Sequence, residues 1–121
     1  RWADQSGIGP HVEITGEPVP LSPAIEVALF RVAQEALTNV AKHSGATRVG
    51  LTLSYLGDVV LLDVRDDGAG MRDGGGRGRG FGLNSMRQRI RGVGGAVTVE
   101  SAPGEGTTIS ASVPMIPAEA R

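Results

Sequence analysis

Apolar residues along this chain switch between two spacings, and the switches mark its elements. From Pro23 to about His43 they fall at Ile25, Leu29, Val32, Ala36 and Val40, a rhythm that gathers them on one face of a helix. Ser22-Pro23 reads as its start, with serine as N-cap and proline at the first helical position, and Ser44-Gly45 as its stop. Elsewhere the rhythm is two. His11–Thr15 alternates and predicts an edge strand. In Thr47–Tyr55, Val49, Leu51, Leu53 and Tyr55 point inward and Arg48, Thr52 and Ser54 outward. Gly57-Asp58 turns the chain into Val59–Arg65, a more continuously apolar strand of the kind found at the centre of a sheet.

A second helix is expected from Leu83 to Gly92, with Leu83, Met86, Ile90 and Val93 on one face and Gly94-Gly95 ending it. Ala96–Ser101 is a strand, Pro103–Gly106 a turn, and Thr107–Val113 a last strand, with Ile109, Ala111 and Val113 opposite Thr108, Ser110 and Ser112. The order β-α-β-β-α-β-β with short turns predicts an α/β two-layer sandwich, a mixed sheet carrying its helices on one face. Residues 1–10 read as the tail of an upstream segment, 11–115 as one domain, and the stretch from Pro114, with 116–121 beyond the domain, as loose.

Composition narrows the function. The 121 residues suffice for one core without staples, and the absence of cysteine excludes disulfides and thiolate metal sites. Apolar runs such as Val59–Leu62 are far too short to cross a membrane. A net charge of −1 argues against a nucleic-acid partner. Six of the eleven arginines nevertheless lie between 72 and 91 (Arg72, Arg77, Arg79, Arg87, Arg89 and Arg91). Local cationic charge in a near-neutral protein points to a small anionic ligand. The 19 glycines turn attention to loops.

Three stretches carry candidate chemistry. On an ideal helix Glu35, Asn39 and Lys42 fall within about 60° of one another. A carboxylate and an amide oxygen suit a hard cation such as Mg²⁺, and an ammonium suits phosphate; the plainer reading is a solvated helix face. Asp66-Asp67-Gly68-Ala69-Gly70 follows the central strand. Its glycines let backbone approach a ligand, and an aspartate there accepts from the exocyclic amine of adenine while repelling guanine, a preference of about 1.5–3 kcal/mol; by itself the stretch is an ordinary turn. Gly74–Gly82 runs into the second helix, whose N-terminus suits an anion that Arg77 and Arg79 could cover. Alone it is equally a flexible linker, and Gly104–Thr108 alone is a hairpin turn. The arginines of Met86–Arg91 are equally a solvated face.

In order, however, Glu-x-x-x-Asn-x-x-Lys-His, Asp-x-Gly-x-Gly, Gly-x-Gly-Leu and Gly-x-Gly-Thr resemble the ATP-binding domain shared by gyrase, heat-shock chaperone, histidine kinase and mismatch-repair ATPases. Glu35, Asn39, Lys42 and His43 match its N box. Asp66, Gly68 and Gly70 match its G1 box, Gly80, Gly82 and Leu83 its G2 box, and Gly104, Gly106 and Thr107 its last glycine box. Gln34–Ser44 and Gly80–Arg89 are most similar to histidine kinases of the nitrate-sensor and lipid-fluidity-sensor subfamily. The resemblance covers about His11 to Pro114.

The resemblance implies a Bergerat-type fold binding ATP with Mg²⁺. Asn39 would be the metal ligand, joined by Glu35, and Lys42 and His43 phosphate contacts. Asp66 would read adenine near Thr107. Gly68, Gly70, Met71, Gly80, Phe81, Gly82 and Leu83 would line the nucleotide, with the short stretch between them as a lid. Glu35 would organise metal and water, and in ATPase relatives act as a base. It further implies transfer of the γ-phosphoryl group to a histidine on an upstream dimerisation hairpin, which serves a response regulator. Neither His11 nor His43 suits that acceptor role, so this chain is expected to bind nucleotide without phosphorylating itself. It is expected to be a monomer within a homodimeric parent, in the cytoplasm whether or not the parent is membrane-anchored. The same motifs would serve an anti-sigma-type protein-serine kinase or a nucleotide-sensing module without catalysis.

Overall fold

A computed structural model describes residues 9–45, 48–68 and 82–116. Five strands form one sheet: β1 (Gly9–Thr15), β2 (Arg48–Tyr55), β3 (Val59–Asp66), β4 (Ala96–Ser101) and β5 (Thr107–Pro114). Two α-helices lie on one of its faces, α1 (Pro23–Asn39) and α2 (Leu83–Arg91). The sheet order is β1-β2-β3-β5-β4. Among the described residues only the β1–β2 pair is parallel, because a helix crossover joins those two strands whereas tight turns join β2 to β3 and β4 to β5. The result is the expected two-layer α/β sandwich with a mixed sheet.

The alternation read from sequence sorts the two faces. Val49, Val60, Leu62, Val64, Ile109, Ala111 and Val113 are buried beneath Ile25, Ala28, Leu29, Val32 and Ala36 of α1 and Leu83, Met86 and Ile90 of α2. The opposite face carries Thr52, Asp63 and Ser110, where the Ser110 hydroxyl donates to the Asp63 carboxylate. β3 is central, as its apolar run implies. β1 is an edge strand but begins at Gly9, two residues before the expected His11. Pro10 is tolerated there because the strand pairs on one side only.

Other boundaries differ from expectation in instructive ways. Ser22 stands at the N-cap of α1, yet its side chain makes no capping bond. The Ser22 carbonyl instead accepts from the N–H groups of Ile25 and Glu26. α1 does not run to His43 as a regular helix: it ends at Asn39 and widens into a π turn, Val40–Ser44, closed by Gly45 at φ 64°. α2 ends at Arg91, one residue early, where the N–H groups of Gly94 and Gly95 bond back to Arg91 and Ile90. Loosening does not set in at Pro114. Met115 N–H donates to the Asp58 carbonyl, and Ser22 N–H donates to the Ile116 carbonyl.

Candidate functional site

Sheet register assembles the site's inner end. Asp66, the last residue of β3, lies directly opposite Thr107, the first of β5, and Thr107 in turn lies opposite Ser101. Inward-pointing positions on adjacent strands share a face, so this row continues the apolar core in polar residues. Asp66 and Thr107 are both buried. The Asp66 Oδ1 accepts from Gly68 N–H at 2.8 Å, an Asx turn that aspartate forms with the residue two ahead. Burial pushes the Asp66 carboxyl above its ordinary value of 3.8, with the neighbouring Asp67 charge adding to the rise. The backbone N–H groups of Gly68 and Thr107 work against it.

Two glycines bring further pieces into contact. Gly106 adopts φ +77°, and a Cβ there would lie 2.2 Å from the Asp66 carbonyl oxygen; only glycine lets the last turn close over the end of β3. The Gly106 carbonyl accepts from Ser101 Oγ at 3.1 Å, and that hydroxyl is 2.8 Å from Thr107 Oγ1. Gly82, at φ +67°, stands at the entry to α2, where a Cβ would come within 2.7 Å of the Glu35 carboxyl carbon. The N box and the G2 box therefore touch through the Glu35 side chain.

The expected site residues divide by depth. Asn39 is buried and bonded, Glu35 is half-buried, and Lys42 is exposed on the π turn. That widened turn, rather than an ideal helix, sets where Lys42 stands relative to Asn39. His43 lies in the same turn, its side chain outside the described residues. Leu83 is wholly buried in the core, so its side chain is not open to a ligand. Gly104 is exposed in the turn before β5. Gly70, Met71, Gly80 and Phe81 lie outside the described residues, as do Arg72, Arg77, Arg79 and the whole Gly74–Gly80 stretch.

Sequence reasoning missed several members. Asp67 is one: its Oδ1 accepts from Arg48 N–H at 2.9 Å, tying the end of β3 to the start of β2. Ser101 is another, visible only once strand register is known. A third feature is a cavity of about 290 Å³ between α1 and α2, bounded by Arg31, Gln34, Glu35, Thr38, Ser85 and Arg89. Arg31 and Arg89 are far apart in sequence, and no local pattern pairs them.

The donor set fits a hard cation. Glu35 and Asn39 both offer oxygen from one helix, and Mg²⁺ takes one or two protein ligands while keeping waters and substrate phosphates.

Comparison with known proteins bears on this geometry. The family described as histidine kinase-, DNA gyrase B-, and HSP90-like ATPase matches residues 24–117. Among curated proteins, the sensor histidine kinase LiaS of Bacillus subtilis is 39% identical over 99 residues, covering 82% of this chain and 28% of LiaS. The histidine-protein kinase/phosphatase UhpB of Salmonella typhimurium is 36% identical over 111 residues, covering 92% of this chain and 22% of UhpB. The chain thus spans about a quarter of the length of these relatives. Among solved structures, the histidine kinase domain of the blue-light activated kinase EL346 from Erythrobacter litoralis superposes with a TM-score of 0.78 at 22% identity. It covers 94% of this chain and 59% of that one, a likeness of fold.

Proposed function

Since this chain belongs to the histidine kinase-, DNA gyrase B- and HSP90-like ATPase family and is homologous to bacterial sensor histidine kinases, we propose that it binds Mg-ATP and presents the γ-phosphoryl group to a histidine on a separate dimerisation domain. The observation that carries this reading is Asp66, a buried carboxylate at the end of the central strand with Thr107 beside it. A carboxylate in that position accepts from the adenine amine, and its partial desolvation strengthens the bond.

The remaining roles follow from the motif match. Gly68 and Gly106 let backbone lie close around the base, and the motif match assigns nucleotide contacts to Gly70, Met71, Gly80 and Phe81, which lie outside the described residues. Asn39 and Glu35 hold the cation, Lys42 and His43 meet the phosphates, and Gly82 leads into the α2 N-terminus, whose unpaired N–H groups favour anions. Bound Mg²⁺ neutralises phosphate charge. These residues position and exclude water, which is most of what phosphoryl transfer requires. In the transfer an imidazole nitrogen bonds to the γ-phosphorus as its bond to the bridging oxygen breaks, ADP leaves, and the imidazole proton passes to solvent or a base.

In motif, Gln34–Ser44 and Gly80–Arg89 resemble the nitrate-sensor and lipid-fluidity-sensor subfamily, to which this reading assigns the chain. Within that assignment the acceptor hairpin and a response regulator are the partners. The chain acts as a monomeric catalytic module of a homodimeric parent, on the cytoplasmic side. Among the described residues no helix is long and apolar enough to cross a membrane.

Calorimetric titration with a non-hydrolysable ATP analogue and Mg²⁺, with GTP as control, tests the reading. The wild type is expected to bind the ATP analogue saturably and GTP not at all, and Asp66→Asn to bind at least about tenfold more weakly (~1.4 kcal/mol). No heat at millimolar analogue would overturn it.

A further inference from the structure

On the face of the sheet turned away from the helices, strand register sets His11 of β1, Gly50 of β2 and Arg65 of β3 side by side in one row. These positions alternate with the buried Val49, Val64 and Asp66, so the row lies across the sheet from the Asp66 carboxylate. Arg48 stands two residues before Gly50 and hence on the same face. With strands about 4.8 Å apart and a rise of about 3.4 Å per residue, the Cα atoms of His11 and Arg65 are about 10 Å apart, and that of Arg48 is about 8 Å from each. All three residues are exposed, and with Gly50 they line a cavity of about 260 Å³. Gly50 has no backbone reason to be glycine. Its φ is not left-handed, and a Cβ there would meet only the His11 carbonyl oxygen, at an ordinary 3.9 Å. Glycine inside a strand weakens it and marks a place where a ligand or another backbone comes close. No backbone closes on this one, which leaves a ligand.

We propose that Arg48, Arg65 and His11 form a second anion site, which seats a phosphate group over Gly50 on the face of the sheet opposite the nucleotide. No ion pair occupies any of the three side chains among the described residues. Two carboxylates border the cavity, and both are engaged elsewhere. Asp67 Oδ1 accepts from the Arg48 N–H at 2.9 Å, and the Asp66 carboxylate turns to the helix side, where it accepts from Gly68 N–H. Glu100 stands beyond Thr108 in the same row as Arg65, and no ion pair joins the two among the described residues. On this face, therefore, two guanidinium groups and an imidazole stand against the single carboxylate of Asp67. A carboxylate ligand offers two oxygens in one plane, and one guanidinium fork satisfies it. Donors rooted at three corners of a triangle suit an anion with oxygens pointing several ways and about two negative charges, as a phosphate monoester has. The missing side chain at position 50 makes the room for it.

Titration of inorganic phosphate onto the full chain at constant ionic strength, read by amide chemical shifts in NMR, tests this. Saturable shifts are expected at Gly50 and its row neighbours, with acetate bound at least about tenfold more weakly. Gly50→Val places a β-branched residue where a strand favours one. It is expected to weaken phosphate by at least about tenfold while the urea midpoint falls no lower than that of the wild type. Arg48→Gln and Arg65→Gln, at exposed positions, are each expected to weaken phosphate by about tenfold, and they carry the test should the valine variant fail to fold. Repeating the titration with Mg²⁺ and a non-hydrolysable ATP analogue present is expected to leave the shifts at Gly50 in place. Their loss would put the ion in the nucleotide site and overturn the proposal. No saturable binding, acetate as tight as phosphate, or wild-type affinity in all three variants would also overturn it. Glycerol phosphate tighter than inorganic phosphate would identify the group seated as an ester, and the reverse as the free ion; either supports the site.

Discussion

Gly104 and Gly106 sit in one turn and both adopt left-handed backbone, at φ +80° and +77°. Around Gly104 a Cβ would meet nothing within 4 Å, whereas at Gly106 it would strike the backbone oxygen of Asp66. Gly104→Ala is therefore expected to cost only the left-handed strain, about 1–2 kcal/mol. Gly106→Ala adds a clash with backbone that has nowhere to go, and should exceed it by at least ~1 kcal/mol. Urea denaturation of both variants checks the ordering; equal losses would mean that the turn and the end of β3 are not in contact. The sequence showed a Gly-x-Gly pair but not that the two glycines have different tasks. That distinction depends on which one register brings over Asp66.

α2 has nine residues, too few to be stable alone in water, and among its own residues only Leu83, Met86 and Ile90 reach the core. Its place in the fold thus depends on tertiary packing, and with it the place of Gly82 against Glu35. Ile90→Ala removes a fully buried side chain and is expected to lose about 2–5 kcal/mol of stability. Denaturant titration would measure it, and a loss below ~1 kcal/mol would show α2 to be held by something other than this seam. This helix was legible in advance because its apolar spacing is plain. The π turn after Asn39 was not. Nothing in Val40–Ser44 departs from a helical pattern, and the widening shows only in the backbone.

At the scale of the molecule, Asp66 places an ionisable group in the wall of the core. Its carboxyl is raised above 3.8, first by burial. Between that ordinary value and the raised one, the folded state binds more protons than the unfolded state, so this group's contribution to stability is present at low pH and falls as pH climbs through the window. The stability of the wild type relative to Asp66→Asn, measured by denaturant titration across pH, is expected to decline through that window and then level. An opposite slope would mean that the Gly68 and Thr107 donors outweigh desolvation. The sequence by itself determined the layer architecture, the central place of β3 and the order of the four motifs, because hydrophobic period and turn residues are local properties of a chain. It could not determine that Asp66 meets Thr107, that Glu35 rests against Gly82, or that Arg31 and Arg89 share a cavity. Those pairings join residues distant in sequence, and only strand register and the packing of two helices on one sheet face bring them together.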